Sequence, residues 1–537
     1  MTLTNKVLSV NETVHQSLLV VSVLNDEPAV ASVSPWETSL RAFAARFSAR
    51  VAVAARGRTL TFAELAAQAE AVRAAVVAAG AKPGEPVMVV ARNGPGVVVA
   101  SYGVMASGAA EFVLDLNLGP DDVAYAARIM GIRRAVVERG EMKRVEALGL
   151  DVLVLEDIIE SPPREVIAPP FDWRAWGKAI MTSGTTGRPK GIIHRHDRRW
   201  YAHVLLRSHL PFVPGPGDRV LLMTAYAHGA ALLAATWFAS GASVELIDGV
   251  DVAYADELFA RGEITAVFAP PTVLAKLVEG TRHKRIDGIK CVFCGTATLQ
   301  PALYRATASL FGPVIRVTYG KSEMFNPITV LEPHEAADYY RDLVTLDAVC
   351  LGAPATGVEV VIRDDAGRVC APGEHGEIHL RSPHMMIGHV DGDGFHELPE
   401  GAFHATGDLG TLDEHGRLFL AGRAHDVMKT GGYKIYPEEI ERVLPNGVVV
   451  VGIPSAHWGE VIVAVSDGEA TGMAEVVASA TQGLARYKQP RACLVVEKIP
   501  RSLQGKVQRS RVRELVLARY AMTDGPYPTF EIRGSSS

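Results

Sequence analysis

The stretch Met181-Thr182-Ser183-Gly184-Thr185-Thr186-Gly187-Arg188-Pro189-Lys190-Gly191-Ile192-Ile193-His194 decides how the rest of this sequence is read. It holds three glycines, four hydroxyl side chains and a lysine within eleven residues, between two apolar segments. Gly184 and Gly187 let the backbone bend so that successive N–H groups converge on anionic oxygens. Ser183, Thr185 and Thr186 add hydroxyl donors, and Lys190 adds a point charge. Such a composition handles phosphate. A Walker A loop would set its lysine between a glycine and a Ser or Thr. Here Lys190 follows Pro189 and precedes Gly191, so that reading fails.

In order and spacing, residues 183–191 resemble the S-G-T-T-G-x-P-K-G phosphate loop of the adenylate-forming superfamily, which spans acyl-CoA synthetases, peptide-synthetase adenylation domains and luciferases. The resemblance runs over residues 35–520 and looks closest to acyl- and aryl-CoA ligases.

Composition agrees with an ordinary soluble globular protein. With 537 residues the chain exceeds a single hydrophobic core, so two or more domains are expected. A net charge of −6, from 54 basic and 60 acidic residues, gives no footprint for nucleic acid. Five scattered cysteines argue against a disulfide framework and for a reducing compartment. The pair Cys291-x-x-Cys294 has no second pair at ligand spacing and reads as part of a buried strand rather than a metal site. Neither a signal-peptide pattern nor an apolar run of membrane-spanning length occurs, so a cytoplasmic protein is expected.

Along the chain, residues 1–33 show no period and read as an arm, with the ordered domain opening near Pro35-Trp36-Glu37. A helix is expected from Leu40 to Ala54, and a second one capped by Thr61 with Glu64 reaching back. Short apolar runs at 86–90, 110–114 and 134–137 alternate with helical stretches, the signature of a parallel sheet covered on both faces. Further strand–helix pairs are expected near 218, 244, 265 and 290. Beyond Pro354 short alternating strands with Asp-Gly turns mark a small β subdomain, and the composition shifts again near 424. The expected architecture is α/β. A large N-terminal domain (34–423) of parallel sheets wrapped by helices carries the β subdomain, a small mobile α+β domain (424–530) follows, and 531–537 form a flexible tail.

Activating an acid with ATP needs a phosphate cradle, a magnesium ligand, a grip on the nucleoside and a cation for charge developing at the α-phosphate. Several blocks resemble the superfamily's answers. In Thr318-Tyr319-Gly320-Lys321-Ser322-Glu323 the likeness implies that Ser322 lies beside the phosphates, that Glu323 binds Mg2+, and that Thr318, Tyr319 and Gly320 line the nucleotide. Gly295, Thr296 and Ala297 occupy the adenine-contacting strip, although Thr298 replaces its proline. Thr406-Gly407-Asp408 matches the T-G-D block, whose carboxylate suits two ribose hydroxyls, and Arg423 matches the second ribose contact.

Thr182 with Ser183, Gly184, Thr185, Thr186, Gly187 and Lys190 would complete the phosphate cradle, and Lys434 a further nucleotide contact. Residues 500–509 resemble the terminal P-x-T-x-x-G-K-x-x-R block, which makes Lys506 the cation bridging the substrate carboxylate and the α-phosphate. His425 stands at the hinge in place of Asp or Lys, and Gly431 and Gly432 would face the acceptor tunnel. Tyr226, His228, Gly320, Phe325 and Asn326 fall where relatives bind the acid, with His228 gating the carboxylate. Lys321, between the glycine and the hydroxyl, is an unusual residue at the open position of that block, and the resemblance assigns it no role.

The resemblance thus implies an enzyme converting a carboxylic acid and ATP·Mg2+ to acyl-AMP and pyrophosphate, then passing the acyl group to coenzyme A. A carrier-protein thiol, an amine or nitrite chemistry stay open as alternatives, as does a non-catalytic nucleotide-binding protein.

Overall fold

The computed structural model describes residues 33–162, 165–182, 189–295, 297–343, 348–468, 472–501 and 507–534. Thr61 caps helix Phe62–Ala78 with both halves of the capping box in place. The expected helix from Leu40 to Ala54 ends early, however. Helix Pro35–Phe47 stops before strand Val51–Ala55, which pairs antiparallel with Arg58–Thr61 and parallel with Ser243–Leu246. Positive φ at Arg56 and Gly57 turns the hairpin. Sheet pairing there overrides the helix preference of the alanines.

Two large mixed sheets form the body, one of 13 strands and one of 8. Strand Pro86–Val90 lies between Ala110–Val113 and Arg134–Val137, all parallel, as the apolar runs implied. The second sheet has a parallel centre as well, formed by strands at 219–222, 243–246, 266–268, 291–295 and 315–321. Helices Pro95–Ala106 and Ala231–Phe238 carry apolar residues all round and are buried between these sheets. Strand Cys291–Gly295 sends Cys291 and Cys294 into separate hydrophobic clusters on its two faces, so the thiols do not form a ligand pair.

The short alternating strands beyond 354 join the antiparallel end of the 13-stranded sheet. Further on, strands from Met428 to Val495 make a five-stranded sheet with its own apolar clusters on both faces. Glu531 and Ile532, read from sequence as tail, pair instead with Ala521 and Tyr520 in a closing hairpin. Among the described residues no helix is long and apolar enough to cross a membrane.

Candidate active site

The phosphate loop joins two antiparallel strands, Trp176–Thr182 and Lys190–Arg195, with Thr182 directly opposite Lys190. Ser183, Gly184, Thr185, Thr186 and Gly187 lie outside the described residues, as do Thr296 and Lys506. Lys190 Nζ stands 3.3 Å from Nε2 of His389 on strand Gly388–Asp391. Burial, reinforced by this lysine, lowers the His389 pKa, so the ring is neutral and accepts the ammonium hydrogen.

Strand Ile315–Lys321 delivers Thr318, Tyr319 and Gly320, and Thr318 pairs with Gly295 on the neighbouring strand. Ala297 follows on an exposed bend. The chain then turns back through Ser322 and Glu323 into strand Met324–Leu331, and the backbone carbonyl of Glu323 accepts from Met386 N at 2.8 Å. The turn is braced by His194, whose Nε2 donates to the Ser322 carbonyl at 2.8 Å. Burial drives the His194 pKa down to about 3, which keeps the ring neutral, and Phe325 stacks on it at 4.0 Å. Close approach explains Gly320: a Cβ there would sit 2.3 Å from Asn326 Oδ1. That oxygen is buried without a hydrogen-bond partner.

Asp408 is the centre of charge. It is buried and lies opposite Arg423 in adjacent strands, with Arg423 Nε 3.2 Å from Oδ1. Lys321 Nζ reaches Oδ2 at 2.9 Å and also donates to the Thr406 carbonyl at 2.7 Å. The Tyr319 hydroxyl donates to Oδ2 as well. Burial pushes the Asp408 pKa up, but Lys321 and Arg423 outweigh it and hold the group below the ordinary carboxylate range. Gly407, at φ +71°, makes the bend that presents the aspartate, and a Cβ there would lie 3.4 Å from the His425 ring. Lys321 therefore has a role that the motif comparison could not supply: it neutralises Asp408. Its signal in the sequence was a lysine out of pattern.

Of the five residues expected to border the acid, three converge on one cavity, and Gly320 and Asn326 are not among its lining residues. Tyr226, His228 and Phe325 line one small cavity together with Trp36, Lys178 and Arg199. His228 interrupts the tight turn Tyr226–Ala230, and its Nε2 lies 3.3 Å from Asp115 Oδ2. A wider cleft, about 410 Å³, lies elsewhere; it is walled by Arg174, Arg195, Arg198 and Arg381 and holds none of the expected site residues. The smaller cavity is the one that borders His228 and Phe325.

Beyond Arg423, His425 lies in a short turn, Ala424–Asp426. Gly431 and Gly432 turn the hairpin between Met428–Thr430 and Tyr433–Ile435, both at positive φ, and Lys434 lies on the second strand. Arg501 and Val507 pair as a β-bridge on either side of residues 502–506.

Sequence reading passed over a buried ionic triad. Glu111 accepts from Lys178 Nζ at 2.9 Å and pairs with Arg199 at 2.5 Å, while Ser101 donates to its other oxygen. Burial raises the Glu111 pKa, yet Arg199 and Lys178 overcome this and bring it to about 2. Burial likewise lowers the Lys178 pKa to about 8, against the pull of Glu111. The Glu111 value lies below its ordinary 4.5. Its contribution to stability is therefore present above that pH and is lost as the pH falls towards 2. Glu111→Gln, which strands two buried cations, is expected to cost about 3–5 kcal/mol. Denaturation followed against pH should show a flatter loss of stability below pH 4.5 in the variant than in the parent.

Comparison with known proteins agrees with this geometry. Residues 40–390 match the family model described as AMP-binding enzyme. The chain is 26% identical over 482 residues to the 2-succinylbenzoate–CoA ligase of Bacillus subtilis (strain 168), covering 87% of this chain and 95% of that one. Among solved structures, the o-succinylbenzoate CoA synthetase from Bacillus subtilis in complex with the acyl-adenylate intermediate OSB-AMP superposes with a TM-score of 0.78 at 25% identity. That match covers 88% of this chain and 97% of that one. The amide bond synthetase McbA from Marinactinospora thermotolerans gives a TM-score of 0.76 at 26% identity, covering 89% and 99%. The chain belongs to the AMP-binding enzyme family. Within it, this protein is an AMP-forming ligase of the acid-activating type.

Proposed function

We propose that the enzyme joins a carboxylic acid to AMP and then transfers the acyl group to coenzyme A. In the first step a carboxylate oxygen attacks the α-phosphorus of ATP, and the bond to the bridging oxygen breaks with release of pyrophosphate. In the second, the thiol sulfur of coenzyme A attacks the acyl carbon, AMP leaves with the electron pair and the thiol proton is lost.

The observation that carries this reading is the gathering of distant blocks around Asp408: Tyr319 and Lys321 from one strand and Arg423 from another hold its carboxylate in place. On this reading Asp408 and Arg423 receive the ribose, and Gly295, Ala297 and Tyr319 border adenine. Lys190 meets the phosphates, and Lys506 serves the α-phosphate. His228 and Phe325 border the acid. Glu323 offers a hard carboxylate oxygen of the kind magnesium takes alongside phosphate oxygens. Bound there, Mg2+ would offset phosphate charge. Gly431, Gly432 and Lys434 belong to a C-terminal unit from residue 424 onwards, which turns about His425 to admit the acceptor. Five cysteines without disulfides agree with a cytoplasmic enzyme.

The test is product mass spectrometry with ATP, Mg2+ and a panel of acids, adding coenzyme A, a phosphopantetheinyl carrier, an amine or nitrite in turn. A thioester formed on coenzyme A is the expected result. Acyl-AMP that persists with coenzyme A but is consumed by an amine would overturn the choice of acceptor. That second reading, amide formation, is favoured by the likeness to McbA over 89% of this chain.

A further inference from the structure

The cavity beside His228 has an excess of hydrogen-bond donors and of positive charge. Two cations, Lys178 and Arg199, share one carboxylate, that of Glu111, and all three are buried. The other groups facing the triad do not restore balance. Tyr226 and Tyr102 are buried phenols whose pKa values burial raises, so both stay neutral. His196 and His203, which Arg199 also influences, are held neutral by burial at a pKa of about 4. Asp115, the next carboxylate, is engaged by His228 and by Asn117.

A third donor points the same way. Trp36 lines the cavity beneath the Arg199 guanidinium, 5.3 Å from its ring, and its indole N–H is buried with no acceptor. A buried donor left without a partner is costly, and an uncompensated buried charge is costlier. The cavity measures about 20 Å³. That exceeds the roughly 10–15 Å³ that one water requires. It admits the terminal oxygen of a substituent and excludes a ring.

We propose that this cavity is the subsite for a second anionic group of the acid being activated, so that the preferred substrates are compact acids with an additional carboxylate or equivalent anion. Arg199, Lys178 and the Trp36 N–H bind that group while the reacting carboxylate lies on the His228 side. The inference rests on the adenylation reading above and adds the substrate class to it.

Acid-dependent pyrophosphate release by the full chain decides the matter, with benzoate compared with its 2-, 3- and 4-carboxy derivatives and butanoate with succinate and glutarate. At least one diacid is expected to exceed its parent in kcat/KM by roughly 10- to 100-fold, the range for a hydrogen bond to a charged group. Arg199→Met should erase that ratio and Arg199→Lys should restore part of it. Trp36→Phe, which keeps an aromatic six-membered ring and removes the N–H with the pyrrole ring, should raise KM more for the diacid than for the parent acid. If Arg199→Met fails to fold, the substrate ratio and Trp36→Phe still decide.

Equal kcat/KM across every pair overturns the proposal, and so does a diacid preference that survives both Trp36→Phe and the Arg199 variants. Added chloride or nitrate that lifts a monoacid to the diacid rate assigns the site to a free anion and overturns it too. Pyrophosphate release from none of the acids removes the adenylation reading itself, and this inference with it.

Discussion

Lys506→Ala is expected to lower acid-dependent pyrophosphate release by at least about 10²- to 10³-fold, the loss seen when one group stabilising developing charge is removed. The reaction brings a carboxylate against an already anionic α-phosphate, so negative charge concentrates where the two meet. A cation placed there acts on the transition state more than on bound ATP. ATP affinity, followed by calorimetry, should therefore change little in the variant. The described residues on either side of 506 are tied to one another. Arg501 and Val507 bridge on either side of 502–506, and Gln508 N donates to the Pro500 carbonyl at 2.9 Å. The next residue, Arg509, is fixed by Asp426 and Glu438, each at 3.3 Å, and by Glu441. Retained pyrophosphate release in Lys506→Ala would remove this residue from the mechanism.

Asp408→Asn is expected to cost about 3–5 kcal/mol of stability, because the amide leaves Lys321 and Arg423 without their shared buried anion. Nucleotide affinity should fall at the same time. A second substitution separates the two effects. Lys321→Met in the Asp408→Asn background removes one stranded cation and should recover part of the stability, a non-additive result expected for residues in one network. It should not recover ATP binding. Because the folded pKa of Asp408 lies below its ordinary 3.8, the stabilisation is present above that value and is lost as the pH falls through the depressed one. Additive effects in chemical denaturation would show that Lys321 does not depend on Asp408.

Much of this protein was legible from one dimension. Phosphate-loop residues, the T-G-D block and the strand–helix alternation are local patterns whose physics lies in adjacent residues. The capping box at Thr61 and Glu64 and the parallel strands at 86–90, 110–113 and 134–137 followed from spacing alone. Strand Val51–Ala55 did not, because its pairing with Ser243–Leu246 across the chain outweighs the preference of its own alanines. Lys321 was visible as an oddity and became intelligible only when the fold carried Asp408, 87 positions away, to its ammonium.

Glu111, Lys178 and Arg199 illustrate the same limit. Glu111 and Lys178 stand singly in apolar segments and Arg199 stands among other charges on a helix, and sequence gives no reason to associate the three. The sequence by itself determined the family and most of the order of strands and helices, since these depend on short-range chemistry. Only the tertiary structure decided which charges neutralise one another. Electrostatic balance in a buried site depends on distances through space, and the order of residues along the chain does not contain them.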